Sequence, residues 1–145
     1  MKSKKYKNTV IESQSLVEPE AMYELQKPSK IISGLNFNDF QKIAVKVDFI
    51  QKEWAEILHL SERTLQRYAH DNSSFNSNVV DRLIQIKKVI QRGQDVFGSY
   101  ERFNLWLRGN PYMLEGQLSI HSLSSIEGIN NVLTQLGRIE HGILA

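Results

Sequence analysis

Between Ile50 and Asp71, in the stretch IQKEWAEILHLSERTLQRYAHD, apolar and polar positions alternate with the period of an α-helix. Ile50, Trp54, Ile57 and Leu58 recur at i, i+4, i+7 and i+8, which is one face of an amphipathic helix. Ala55 is small and leaves room for a second helix to approach. Ser61 is a good N-cap, and Glu62 then falls in the first turn, where a carboxylate suits the helix dipole. The helix opened there turns Leu65, Tyr68 and Ala69 inward. At ~100° per residue, Glu62, Arg63, Gln66, Arg67 and His70 gather in an arc of roughly 140° on the other side. The pattern predicts two short helices joined by a tight turn, the second presenting a guanidinium-bearing face outward.

The same periodicity places the remaining elements. Asn36 or Asn38 caps a helix over Phe37 to Val45 that faces Phe40, Ile43 and Ala44 inward. The run NSSFNSN after Asp71 is a loop. Val79 to Phe97 is the longest helix, with Val79, Leu83, Ile86, Ile90 and Phe97 on one stripe and Arg82, Gln85, Lys88 and Arg92 opposite. Gly93 interrupts it at a cost in helix propensity, and Gly98 ends it. A further helix covers Tyr100 to Leu107 and buries Phe103, Trp106 and Leu107. RGNPYMLEG is then a turn-rich connection, in which Pro111 stops the helix. Ser124 with Glu127 forms a capping box that opens a last helix, with Ile129, Val132, Leu133 and Leu136 on one face. Gly142 terminates that helix and leaves Ile143, Leu144 and Ala145 as an apolar tail. With no period-two alternation and no internal repeat, the expected architecture is all-α. A flexible arm and linker covers residues 1–30, a helix-turn-helix domain 31–75, and a helical C-terminal domain 76–145.

Composition narrows the function. Hydrophobic residues make up 41% of the 145, enough for a core, while a net charge of +2 is too mild to indicate a nucleic-acid partner by itself. Any DNA binding must come from local clustering. The absence of cysteine excludes a disulfide framework and thiolate metal sites and fits a reducing cytoplasm. No apolar run approaches the ~20 residues of a membrane span. The basic start MKSKKYKNTV is not followed by a signal-peptide hydrophobic region. His59, His70, His121 and His141 lack metal-ligand spacing. Glu140 and His141 point to different helix faces, and neither a phosphate loop nor a GxSxG elbow occurs. We therefore expect no enzyme, no cofactor and no metal.

The polar face of the Ser61 helix suits a DNA major groove. Such a groove admits one α-helix, arginine can bond guanine O6 and N7 together, and glutamine and glutamate can read adenine or cytosine edges. The competing reading is an ordinary solvated helix pair. Reading two half-sites requires two such helices, so a homodimer is expected. The apolar stripes at Val79 to Phe97 and Ile129 to Leu136 suggest that the C-terminal half forms it.

One resemblance covers about Ile31 to Ala145. The recognition helix SERTLQRY, Trp106-Leu107 followed by Asn110-Pro111 and Leu114-Glu115-Gly116, and the run from Gly128 through Val132, Leu136-Gly137-Arg138-Ile139 to Gly142 together resemble the Xre/MbcA/ParS-type antitoxins. The resemblance implies an Xre-like DNA-binding domain followed by a small toxin-binding domain. It implies as partners a RES-domain toxin that attacks NAD, covered at its active site by the C-terminal domain, and the operator DNA of the chain's own operon. By similarity, Glu62, Arg63 and Arg67 reach base edges and Gln51 contacts phosphate. With Ser61 and Gln66 these make up the candidate DNA-binding set. Gly142, Ile143, Leu144 and Ala145 are the candidate toxin-binding residues. The sequence departs from the family where His59 replaces a turn glycine, Glu115 a glycine and Ser119 a proline. Two other readings stay open: a stand-alone helix-turn-helix repressor with a C-terminal dimerisation domain, and an interaction module that never meets DNA.

Overall fold

Local capping chemistry sets where the helices begin. The computed structural model describes residues 34–142. Asn36 accepts from the Asp39 N–H at 3.1 Å and the Asp39 carboxylate accepts from the Asn36 N–H at 3.0 Å, which opens α1 (Phe37–Ala44). Ser61 accepts from the Thr64 N–H at 3.0 Å and opens α3 (Glu62–Asp71). Between them α2 (Gln51–Leu58) starts without a capping hydroxyl or amide. Ile50 holds the N-cap position and Glu53 accepts from its N–H at 2.9 Å. Ile50 is therefore not on the buried face expected of it; at 58% exposure it lies in the turn before the helix. Ala69 is also exposed and Tyr68 only half-buried, because α3 leans on its neighbours mainly through Leu65.

Asn76 caps α4 (Ser77–Phe97), and Gly98 closes it at φ +87°, in the left-handed region. Ser99 caps α5 (Tyr100–Arg108). The turn-rich connection holds a small hairpin that period-two reasoning does not predict. β1 (Tyr112–Met113) pairs antiparallel with β2 (Gly116–Gln117), Met113 opposite Gly116. A 3₁₀ turn (Ile120–Ser124) precedes α6 (Ile126–Glu140). The last cap is Ser125 rather than Ser124: its hydroxyl accepts from the Gly128 N–H at 3.0 Å, so the expected Ser124–Glu127 box does not form. The described part of the chain is all-α apart from the hairpin.

An aromatic cluster fills the first three helices. Phe40 meets Trp54 edge-on at 4.9 Å and Phe75 at 6.0 Å, and Phe75 meets Tyr68 at 4.8 Å. The second cluster centres on α4, which α5 and α6 cover; Leu83, Ile86, Phe103, Leu107, Leu123, Val132 and Leu136 are all 0% exposed. Burying each such side chain contributes about 1.5–3 kcal/mol before entropy is counted. Trp106 and Leu133, expected inside, are half-buried. The stripes that suggested a dimer are covered by the chain itself, so the case for a dimer rests on half-site geometry alone.

Two glycines mark where helices touch most closely. A Cβ at Gly93 would lie 2.3 Å from the Phe103 ring, and one at Gly128 would lie 1.9 Å from the Ser122 carbonyl oxygen. Gly93 is thus a contact point between α4 and α5 rather than an interruption, and Gly128 lets α6 rest on the backbone of the 3₁₀ turn.

Candidate functional site

α3 is attached by its apolar side and leaves its polar side open. Ser61, Glu62, Arg63, Gln66, Arg67 and His70 are all exposed, in the arc that the helical period prescribes. Among the described residues neither Arg63 nor Arg67 forms an ion pair; the Arg67 guanidinium lies 5.6 Å from the Tyr68 ring centroid. Gln51, at the first position of α2, is exposed as well, and its side-chain amide reaches the Glu62 carboxylate at 3.4 Å. The six residues singled out from the sequence therefore start or line one surface, formed by the beginning of α2 and the outer face of α3. That surface offers guanidinium forks, amides and one helix N-terminus together, the donor set that phosphate and base edges require.

The turn between α2 and α3 is unusual. His59 closes α2 in the left-handed region at φ +59°, where glycine is at ease and a side chain is not. The imidazole is held: its Nε2 lies 2.6 Å from the Ser124 carbonyl oxygen, which also accepts from Arg82 Nη1 at 2.8 Å. One turn earlier on α2, Glu56 lies 3.1 Å from His121 Nδ1. The 3₁₀ turn thus grips the C-terminal end of α2.

The N-terminal end of α2 is gripped by Arg108, at the end of α5. Its Nη1 and Nη2 donate to the two Glu53 oxygens at 2.9 and 2.8 Å, and Nη2 and Nε donate to the Asp48 carbonyl and carboxylate at 2.9 and 3.1 Å. The fork lowers the Glu53 pKa chiefly by hydrogen bonding to the charged form, and Glu53 raises that of Arg108 in return. Sequence reasoning missed both grips. Their partners stand 55 to 65 residues apart with no periodic signal to link them.

Beyond α5 the chain presents a different surface. Tyr112 on β1 and Leu114 in the turn that follows flank buried Met113 and stand outward, 75% and 77% exposed. Arg138 on α6 binds both carboxylate oxygens of Glu115 at 3.0 Å and ties the hairpin down. Gly142 follows α6 at φ +75°; Ile143, Leu144 and Ala145, like the arm 1–30, lie outside the described residues.

The described fold is all-α, with two short helices joined by a tight turn, α2 and α3, followed by a helical C-terminal segment. Residues 92–142 match the family model described as the antitoxin Xre/MbcA/ParS C-terminal toxin-binding domain. The match supports an Xre/MbcA/ParS-type antitoxin, a regulator whose partner is a protein toxin. It spans the last turns of α4, α5, the hairpin, the 3₁₀ turn and α6. No curated protein matches the chain. Among the described residues no helix is long and apolar enough to cross a membrane, and no group of carboxylates and histidines is placed to hold a metal ion.

Proposed function

We propose that the chain is a cytoplasmic antitoxin that covers the active site of a cognate RES-domain toxin acting on NAD and represses its own operon as a homodimer. The observation that carries this reading is the toxin-binding match over 92–142. The exposed Arg63 and Arg67, without ion pairs among the described residues, support its DNA-binding half. In this reading, 31–75 works on DNA and 76–145 on the toxin and the second copy.

Neutralising a small-molecule enzyme is most direct when something fills its cleft. Ile143 and Leu144 bring apolar surface to such a contact. The outward Tyr112 and Leu114 are the second contact on offer.

Co-expression with the adjacent reading frame tests the reading, scored by growth rescue and co-purification. Rescue is expected. Deleting Ile143 to Ala145 should leave operator binding unchanged and weaken inhibition tenfold or more, about 1.4 kcal/mol. A truncated chain that inhibits fully moves the contact to the hairpin. DNA binding without any protein partner selects the stand-alone repressor instead. On the DNA side, Arg67→Ala should cost ~1–3 kcal/mol on operator DNA and relax specificity. Equal losses on operator and random duplex would reduce Arg67 to a phosphate contact.

A further inference from the structure

The four bonds from Arg108 to the entrance of α2 do more than join two elements. The stretch Val45 to Ile50 between α1 and α2 lies outside both helices, and α2 begins at a residue that cannot cap it. Glu53 instead ties the entry back by accepting from the Ile50 N–H, and the same Glu53 oxygen accepts from Arg108 Nη2 at 2.8 Å. The planar fork fixes both Glu53 oxygens at once, which a single point charge cannot do. A second donor pair, Nη2 and Nε, fixes Asp48 by its carbonyl and its carboxylate. The next residue of the helix is Gln51, whose amide reaches Glu62 at the start of α3. A connected path therefore runs from α5 to the first turn of the recognition helix.

We infer that Arg108, which lies in the segment matched to a toxin-binding domain, is a positioning residue for DNA reading: it sets the entry of α2 and, through Gln51 and Glu62, the register of α3. The inference rests on the DNA-binding reading above. A helix-turn-helix leads with the start of its first helix along the phosphate backbone. Without Arg108, Asp48 and Glu53 would bring two uncompensated carboxylates to that helix end. Anions disfavour a phosphate there, and a loosened Glu53 no longer defines the angle at which Gln51 arrives. The residue touches no base. It acts through α2, so its loss should blunt discrimination more than bare attraction.

The test uses the full chain and a duplex selected by the wild-type protein from a random pool, with a random duplex as reference. Arg108→Gln should weaken binding to the selected duplex about tenfold or more, shrink the selected-to-random ratio and spare binding to the co-expressed partner. Arg108→Lys keeps the charge but loses the fork, and should fall between. In the double variant with Glu53→Gln the loss should not exceed that of Arg108→Gln alone, because both remove one link. The inference is overturned if Arg108→Gln keeps the wild-type ratio, or if the two losses add. Should Arg108→Gln unfold, Glu53→Gln alone decides: an unchanged ratio in a folded Glu53→Gln protein overturns it. A wild-type chain that selects no sequence overturns the DNA reading itself, whereas a discriminating wild type with an equally discriminating Arg108→Gln refutes only the role of Arg108.

Discussion

Arg63 and Arg67 stand on α3 with no ion-pair partner among the described residues, whereas Arg82, Arg92, Arg108 and Arg138 are each bonded to another element of the same chain. The two sets use the same side chain for opposite purposes. An arginine already engaged through its fork is fastening an α5, a hairpin or an α6 in place. An arginine with all its donors idle is available to a partner outside. The exposed pairs contribute little to stability, as surface ion pairs generally do, so their worth lies in geometry. The contrast extends to tolerance: α3 can lose its outer side chains and stay folded, while the C-terminal half has contacts with no room for a methyl group.

The largest break in that contrast should come from inside the C-terminal half. In Gly128→Ala the new methyl would lie against the Ser122 backbone, which cannot swing aside as a flexible side chain can. We expect a loss of about 2–3 kcal/mol in urea unfolding, because overpacking forces the 3₁₀ turn and α6 apart. Gly137, on the same helix, has nothing within 4 Å of the place a methyl would take, and Gly137→Ala should stabilise by up to ~1 kcal/mol. Equal effects at the two sites would show that the close approach is not rigid. A smaller break is Gly93→Ala, expected to cost about 1–2 kcal/mol where it meets the Phe103 ring. A ring can move, so combining it with Phe103→Leu should cost less than the sum of the two single changes.

The Arg108 fastening can be weakened by acid. The Glu53 pKa is depressed below its ordinary 4.5, so the contribution of its ionised form is complete above that value and is lost as the pH falls through the lower folded value. Wild type should exceed Glu53→Gln in stability by about 1 kcal/mol at pH 7. Thermal melts of the two proteins should converge below pH 4.5, and curves that stay parallel would show that the fork is not what separates them. The smallest expected effect is at His59. His59→Gly relieves the left-handed backbone but removes the ring's bond to Ser124, whose carbonyl keeps Arg82. The terms offset, and the net change should lie within about 0.5 kcal/mol. A loss well above that would mean the imidazole, not Arg82, anchors the 3₁₀ turn.

These predictions fall on features of unequal legibility in the sequence. Asn36, Ser61 and Gly98 are readable because a cap acts on residues within one turn of itself. The outer arc of α3 is readable because periodicity alone sorts its residues. Ile50 is misplaced by the same logic: it fits the i, i+4 spacing, yet the helix starts one residue later, where Glu53 and Arg108 fix the entry. Ser124 fits the cap pattern, yet the Gly128 amide bonds the next serine, Ser125, a shift of one residue that the pattern does not resolve. The two-residue strands are too short to alternate visibly. Gly93 looks like a loss of helix propensity because the ring that needs its space is on another helix. The grips on α2 leave no trace at all, since they join residues that only the fold brings together.

One consequence of α4 concerns how long the protein lasts. At ~1.5 Å per residue it is roughly 30 Å long, with one face buried from Val79 to Gly93, and it packs both on α2 and on the α5–α6 layer. Opening either side strips the cover from a helix that the other side needs. Residues 34–142 are then expected to open as a unit, so that a protease that cuts only the open form meets them closed or unfolded. Turnover then follows the unfolding equilibrium of the whole rather than the frailty of its weaker half. No fragment carrying α1–α3 alone would outlive the part built from α4–α6.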